Sequence, residues 1–371
     1  MKFAAINFTC SSCGAPQRFS PATGKMSCEF CNTQTAIDVL NYHIEEYDFK
    51  KALSNLKVEK SKIIEKKVSC KKCGASFVLT PYALSSNCPY CDTPAITEFI
   101  KEITPKSLLP FAVTHKNAQE RFVTWVGSRW FAPNAFKKYL DGNKNLTGYY
   151  LPYWTYDSDT ISNYRGLRGD VYYVTVTKTV TDNNGRQKQI QVQESRIRWT
   201  AASGVVYVNF DDITIGASKT VSRAILNALE PWDTNKLLPF DKKYLSGFKS
   251  EEYTIGLDNG FEFAKAKMAS KIERNIRQDI GGDQQQIHST NTQHNNVTYK
   301  NILLPVWVAS FKWKNKTYNY AINAQTGKIT GERPYSVTKI VFAVMGGVGG
   351  VGVIGYFEEI RMWMSGLMAG M

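Results

Sequence analysis

No cysteine lies outside two short quartets: Cys10, Cys13, Cys28 and Cys31, then Cys70, Cys73, Cys88 and Cys91, account for all eight in 371 residues. Histidine is scarcer still, and His43, His115, His288 and His294 fit no ligand spacing, so they read as surface residues. No glycine-rich loop ends in Gly-Lys-Ser/Thr. Gly24-Lys25-Met26 and Gly327-Lys328-Ile329 come nearest and stop short, which excludes a phosphate-cradling motor. The start, Met1 to Asn7, has no apolar signal core, so four disulfides in a secreted protein are not expected. Acids are outnumbered, 32 against 46 Lys plus Arg, for a net charge of +14. That surplus suits nucleic acid or anionic lipid as a partner and does not choose between them.

Each quartet reads Cys-x-x-Cys, fourteen residues, Cys-x-x-Cys, and the second copy follows sixty residues after the first. Thiolates are soft ligands, and two such knuckles joined by a hairpin give Zn²⁺ four sulfurs with no open position. Two structural Zn²⁺ ions are therefore expected, with catalysis at neither. The likeness extends past the sulfurs: Cys13-Gly14-Ala15 matches Cys73-Gly74-Ala75, and Cys31-Asn32-Thr33 matches Cys91-Asp92-Thr93. One module has been used twice. Glycine after the second cysteine suits a knuckle turn with positive φ.

The rest divides by pattern. A lysine-rich stretch, Asp48 to Lys67, predicts a spacer helix. Tyr149 to Trp154 and Val171 to Val176, then Ile190 to Trp199 after the turn Asp182 to Gly185, predict a long antiparallel hairpin. Helices are expected over Lys219–Leu229 and Leu257–Ile280; Met268, Ile272, Ile276 and Ile280 stripe the second, and Gly281-Gly282 ends it. Leu303–Lys314 and Lys316–Ala324 read as a second strand pair, and Gln284–Asn296 as a polar loop. Leu151-Pro152-Tyr153-Trp154 and Leu304-Pro305-Val306-Trp307 place proline at a strand start or edge, with tryptophan in the core. The carboxylate pairs Asp157/Asp159 and Asp211/Asp212 read as turn residues capping the backbone rather than as a catalytic pair. Ile340 to Phe357 carries no charge, and at about 1.5 Å per residue its length is ~27 Å against a hydrocarbon core of ~30 Å. It predicts a membrane span, with Gly346 and Gly350 at GxxxG spacing favouring homo-oligomers.

The expected fold class is α+β: zinc ribbon 1 (1–42), helical spacer (43–67), zinc ribbon 2 (68–98), a mainly antiparallel β-rich domain with a few helices (99–335), a C-terminal transmembrane helix (338–358) and a short tail (359–371). The order of double ribbon, Leu108 to Phe111, Trp130-Phe131-Ala132-Pro133, Leu151 to Asp157, Ala228 to Asp233, Asp279 to Asp283, Leu303 to Trp307, Gly331 to Ser336 and apolar tail resembles a bacterial family. These are membrane-anchored proteins with transcription-factor-IIB-type zinc ribbons, often labelled primosomal helicases. The resemblance implies a tether in the inner (cytoplasmic) membrane with the N-terminal domains in the cytosol; a wholly cytoplasmic protein is the alternative. It also implies flotillin-like and phage-shock-type membrane-stress proteins as partners. The expected function is a non-enzymatic, zinc-binding adaptor recruiting proteins to the cytosolic membrane face. The alternative is a zinc-ribbon protein that binds DNA or RNA without helicase activity.

Overall fold

The computed structural model describes residues 2–340 except 5, 39–43, 56–65, 71, 74, 80–82, 97–103, 136–145, 182–186 and 315. In the N-terminal third, β1 (Lys2–Ala4) precedes a small antiparallel sheet of β2 (Gln17–Ser20), β3 (Lys25–Cys28) and β4 (Gln34–Thr35). Then come β5 (Tyr47–Asp48), α1 (Phe49–Asn55), β6 (Lys66–Ser69), β7 (Ser76–Leu79), β8 (Ala83–Asn87) and β9 (Pro94–Ile96). Of the expected spacer helix, the described residues show Phe49–Asn55 as helix, while Lys66 and Lys67 belong to a strand. Residues 56–65 of that stretch lie outside the described ones.

The remaining elements are β10 (Ser107–Leu108), α2 (His115–Gly127), β11 (Thr147–Thr181), β12 (Gln187–Gly216), α3 (Arg223–Ala228), β13 (Leu238–Pro239), β14 (Lys249–Glu251), α4 (Leu257–Ile280), β15 (Gln284–Trp313), β16 (Lys316–Asn323) and β17 (Ile329–Gly331). An eleven-stranded sheet holds most of them, with β12, β11, β15, β16 and β17 as successive neighbours. Strands of 35, 30 and 30 residues make its spine. The expected hairpin is present and much longer than its aromatic, β-branched portion. Its turn, Asp182 to Gly185, lies outside the described residues.

The spine carries a bulge. Register shifts at Asp157 in both ladders of β11, and Asp212 and Asn296 take φ of 51° and 49°. Asp157, Asp159, Asp211 and Asp212 therefore sit at an irregularity within long strands, not in turns. An extra residue there increases local twist and turns a side chain that would otherwise alternate outward.

Prolines 152 and 305 also lie inside strands, contrary to expectation. Each stands where a neighbour stops: β12 ends at Gly216 beside Tyr153, and the Ala217 amide donates to the Pro152 carbonyl. Likewise β16 ends at Asn323 beside Val306, and the Ala324 amide donates to the Pro305 carbonyl. The missing N–H falls where no ladder continues, so it costs nothing. Trp154 and Trp307 are buried, as expected.

The long helix α4 has the bounds its periodicity predicts. Leu257, Phe261, Ala264, Met268, Ile272, Ile276 and Ile280 are buried against Trp154, Tyr156, Tyr164, Val206, Val208 and Phe210 of the spine. Full burial of each large apolar side chain contributes roughly 1.5–3 kcal/mol. The helix entry is pinned by Trp154 Nε1 donating to the Ile255 carbonyl at 3.0 Å and Tyr156 Oη to that of Leu257 at 2.7 Å. Its end is Gly281 at φ 66°, a conformation that favours glycine. The other expected helix is shorter: Ser222 caps it, and it runs from Arg223 to Ala228.

Two expectations are corrected. Gln284–Asn296 is strand, the first part of β15, because pairing with β11 overrides its polar composition. The fold class loses its transmembrane helix: among the described residues, no helix is long and apolar enough to cross a membrane. The longest, α4, is amphipathic, with one stripe buried and charged residues on its exposed side. Residues 341–357 of the uncharged run lie outside the described residues. What stands is a β-rich fold with helices and two N-terminal four-cysteine clusters, and the inner-membrane location has no support from it.

Candidate metal centres

Each cysteine cluster is made by two backbone knuckles. In the first, the Cys10 amide donates to the Ala15 carbonyl at 2.7 Å and the Gly14 amide to that of Cys10 at 2.9 Å, with Gly14 at φ 73°. In the second, Asn32 at φ 56° donates to the Cys28 carbonyl at 2.9 Å. The later module repeats this: Cys70 N to Ala75 O at 2.9 Å, Cys88 N to Thr93 O at 2.8 Å, and Asp92 at φ 54° donating to Cys88. The expected glycine conformation is found at Gly14; Gly74 lies outside the described residues. Asn and Asp are the non-glycine residues that most readily accept a left-handed turn. That accounts for the repeated Asn32 and Asp92.

These turns bring four sulfurs together twice. Cys10 Sγ is 3.6 Å from Cys31 Sγ, and Cys13 Sγ is 3.5 Å from Cys28 Sγ. In the second cluster the distances are 3.7 Å for Cys70–Cys91 and 3.8 Å for Cys73–Cys88. Within each cluster all ligand atoms lie within 4.8 Å of one another. A disulfide needs about 2.05 Å, and all eight thiols are free. A tetrahedral ion with ~2.3 Å bonds to sulfur requires edges of about 3.75 Å, so both donor sets fit such an ion. The structure thus supports two metal-binding centres with the predicted ligands Cys10, Cys13, Cys28, Cys31 and Cys70, Cys73, Cys88, Cys91.

The surrounding groups favour anionic sulfur. The Thr33 hydroxyl and amide bring Cys31 down to about 6, and Thr93 does the same for Cys91. Backbone groups at Ser12 and Cys13 lower Cys10. The Ala15 amide acts on Cys13 in the same direction, yet the adjacent Cys31 and Cys28 sulfurs outweigh it and hold Cys13 at about 12. Four clustered thiols cannot all lose their protons without a cation to neutralise them.

The modules are welded to each other and to the main sheet. Arg18 of β2 donates to the Asp92 carboxylate at 2.7 Å and carbonyl at 2.9 Å, and Ile6 bridges to Ile96. The Phe19 amide donates to the Ser246 carbonyl, and Phe19, Met26 and Ile37 join the core around Phe111, Phe248 and Trp307. From the second module, β8 pairs with β14 and so extends the eleven-stranded sheet. Sequence reading overlooked two outward side chains. Phe30 and Tyr90, third in the Cys-x-x-Cys of the later knuckles, are 73% and 71% exposed. Their sixty-residue spacing was the available signal.

A second polar cluster lies at the bulge. Glu46, Asp157 and Asp211 present carboxylate oxygens within 4.8 Å of one another, and Lys300 serves as the local cation. Lys300 Nζ is 2.8 Å from Glu46 and Asp212 and 3.8 Å from Asp157, with only 8% of its side chain exposed. Burial pushes Asp157 up to about 6, against the opposing pull of the Asp212 amide and Lys300. The Lys300 hydrogen bond holds Glu46 low. Desolvation would depress Lys300, but its bonds to Asp212 and Glu46 raise it overall. Among the described residues no histidine joins a metal cluster: His115 opens α2, His288 is exposed on β15, and half-buried His294 lies 3.3 Å from Ser158 Oγ. His43 lies outside the described residues.

The chain is 25% identical over 355 residues to the uncharacterized protein YdjG of Bacillus subtilis (strain 168), spanning 93% of this chain and 95% of that protein. No protein-family pattern matches the chain, and no solved structure matches it. The shared length argues for a common architecture, while the relative brings no activity with it.

Proposed function

We propose that the chain is a non-enzymatic, zinc-stabilised docking scaffold whose two ribbons present aromatic anchors to partner proteins. The observation that carries this is the pair Phe30 and Tyr90, held out at equivalent places on two rigid knuckles. Isolated apolar residues on a surface are ordinary, but large aromatics on rigid supports are the side chains that most often dominate protein association. Zinc is the ion proposed, because a closed four-thiolate set suits it and leaves no position for a reacting water. Flotillin-like and phage-shock-type proteins are the first partners to assay.

The test is quantitative crosslinking and purified-protein binding with the zinc-loaded chain against a Phe30→Ser/Tyr90→Ser variant. Both side chains are exposed, so metal content and thermal stability should stay unchanged while affinity falls at least tenfold. Partner binding indifferent to both substitutions would remove the reading.

The alternative is single-stranded nucleic acid. The net charge of +14 favours it, as does Lys72 placed 5.9 Å over the Phe30 ring, a pairing of base-stacking surface and cation. Affinity that falls steeply with salt and is lost with Phe30→Ser would support this reading. No binding at low salt would exclude it.

A further inference from the structure

The spine of the sheet projects as a bare arm. β15 stops pairing with β11 at Gly169↔Gln284, whereas β11 and β12 continue together through twelve more pairs, Asp170↔Arg198 to Thr181↔Gln187. At ~3.4 Å per residue the two-stranded ribbon reaches about 40 Å beyond the third strand. Among the described residues nothing pairs with its edges, and Tyr173 is 68% exposed. An isolated two-stranded ribbon is marginal in water.

We infer that this arm is a self-association surface: β11 of one copy pairs antiparallel with β11 of a second copy about a two-fold axis at Val176. The backbone sets the register. The Val171 amide donates to the Asp283 carboxylate at 2.7 Å, on the side away from β12. Strand alternation then turns the N–H and C=O of Tyr173, Thr175, Thr177 and Thr179 to the same open edge. A two-fold at Val176 brings Thr175 opposite the second copy's Thr177, and Tyr173 opposite its Thr179, so outward groups meet outward groups.

The side chains agree with that register. On one face Val176 stands beside Val192 in its own hairpin, and the axis extends this into a row of four valines across the seam. On the other face the flanking rows combine threonine with Gln191 and Gln193, groups that hydrogen-bond across strands. Lys178, held 2.7 Å from Glu194 of its own copy, falls opposite Val174 of the second, so no like charges meet. Edge strands that must stay free usually carry proline or several charges. Val171–Thr181 has no proline and one lysine, whereas the arm portion of β12 carries Lys188, Glu194, Arg196 and Arg198. This selects the β11 edge.

Sedimentation velocity of the full, metal-loaded chain across a concentration series tests the proposal. The wild type should approach twice the 41.8 kDa of one chain. Thr177→Pro removes an outward N–H that the intrachain ladder does not use, and Val176→Lys puts two ammonium groups on the axis with every backbone donor intact. Each should weaken dimerisation at least tenfold with circular dichroism and metal content unchanged. Should the proline variant fail to fold, the lysine variant decides. A wild type that stays monomeric throughout, or a dimer indifferent to Val176→Lys, would overturn it.

Discussion

Replacing Lys300 by methionine would leave the bulge carboxylates without their cation. Lys300 lies 2.8 Å from both Glu46 and Asp212; at an effective dielectric of ~20, each contact is worth about 6 kcal/mol of gross attraction. Desolvation of the buried ammonium offsets most of that, and methionine recovers the packing of the alkyl stem. What remains is the mutual repulsion of anions whose partner has gone, a loss of roughly 3–5 kcal/mol at pH 7. The loss should shrink at pH 5. Without Lys300 the native carboxyl pKa values rise above those of the unfolded chain, so the variant takes up protons on folding and recovers stability as pH falls. In the wild type, Asp157 at about 6 against an ordinary 3.8 already acts in that direction, subtracting stability as pH rises between those values. Glu46, held low, has the opposite sign and gains stability as pH rises through the ordinary carboxylate range. Urea unfolding of Lys300→Met at pH 7 and pH 5, with metal present, measures both effects. A loss under about 1 kcal/mol at pH 7, of the size expected for an exposed pair, or one that grows at pH 5, would refute the assignment.

Three further outcomes are expected. Cys28→Ser and Cys88→Ser should each lose one metal equivalent by elemental analysis, and each should also lower the main thermal transition, because the modules are packed into the core and the sheet; an unshifted transition would mean that they fold independently. Met268→Ala, at a fully buried position of α4, should cost roughly 2–5 kcal/mol in denaturant unfolding, and a cost below 1 kcal/mol would contradict the packing described. At Gly166 an added Cβ would lie 2.2 Å from the Gln286 carbonyl oxygen. Gly166→Ala should therefore force β11 from β15 and lower Tm by several degrees, while Gly127→Ala, with open space, should not.

Features fixed by local geometry were readable from the sequence. Cysteine spacing encodes a knuckle whatever surrounds it, and the stripe Met268, Ile272, Ile276, Ile280 before Gly281 encodes a helix with an end. Features set by distant neighbours were not. Pro152 and Pro305 are tolerated within strands only because β12 and β16 stop beside them. The Gln284–Asn296 segment has a loop's composition, yet β11 supplies a ladder that makes it strand. The fusion of β8 to β14 joins residues more than 160 positions apart and leaves no periodic trace. Phe30 and Tyr90 were visible as a repeated position, but only the structure distinguishes their exposure from burial.

The most direct test of the account is the metal content of the purified chain, measured by mass spectrometry of the intact protein under native conditions and by elemental analysis. Two tetrathiolate centres predict two zinc equivalents per chain, released when the thiols are protonated or alkylated or when a strong chelator competes for the ion. Fewer than one equivalent, or cystines linking the four sulfurs within each cluster, would contradict it.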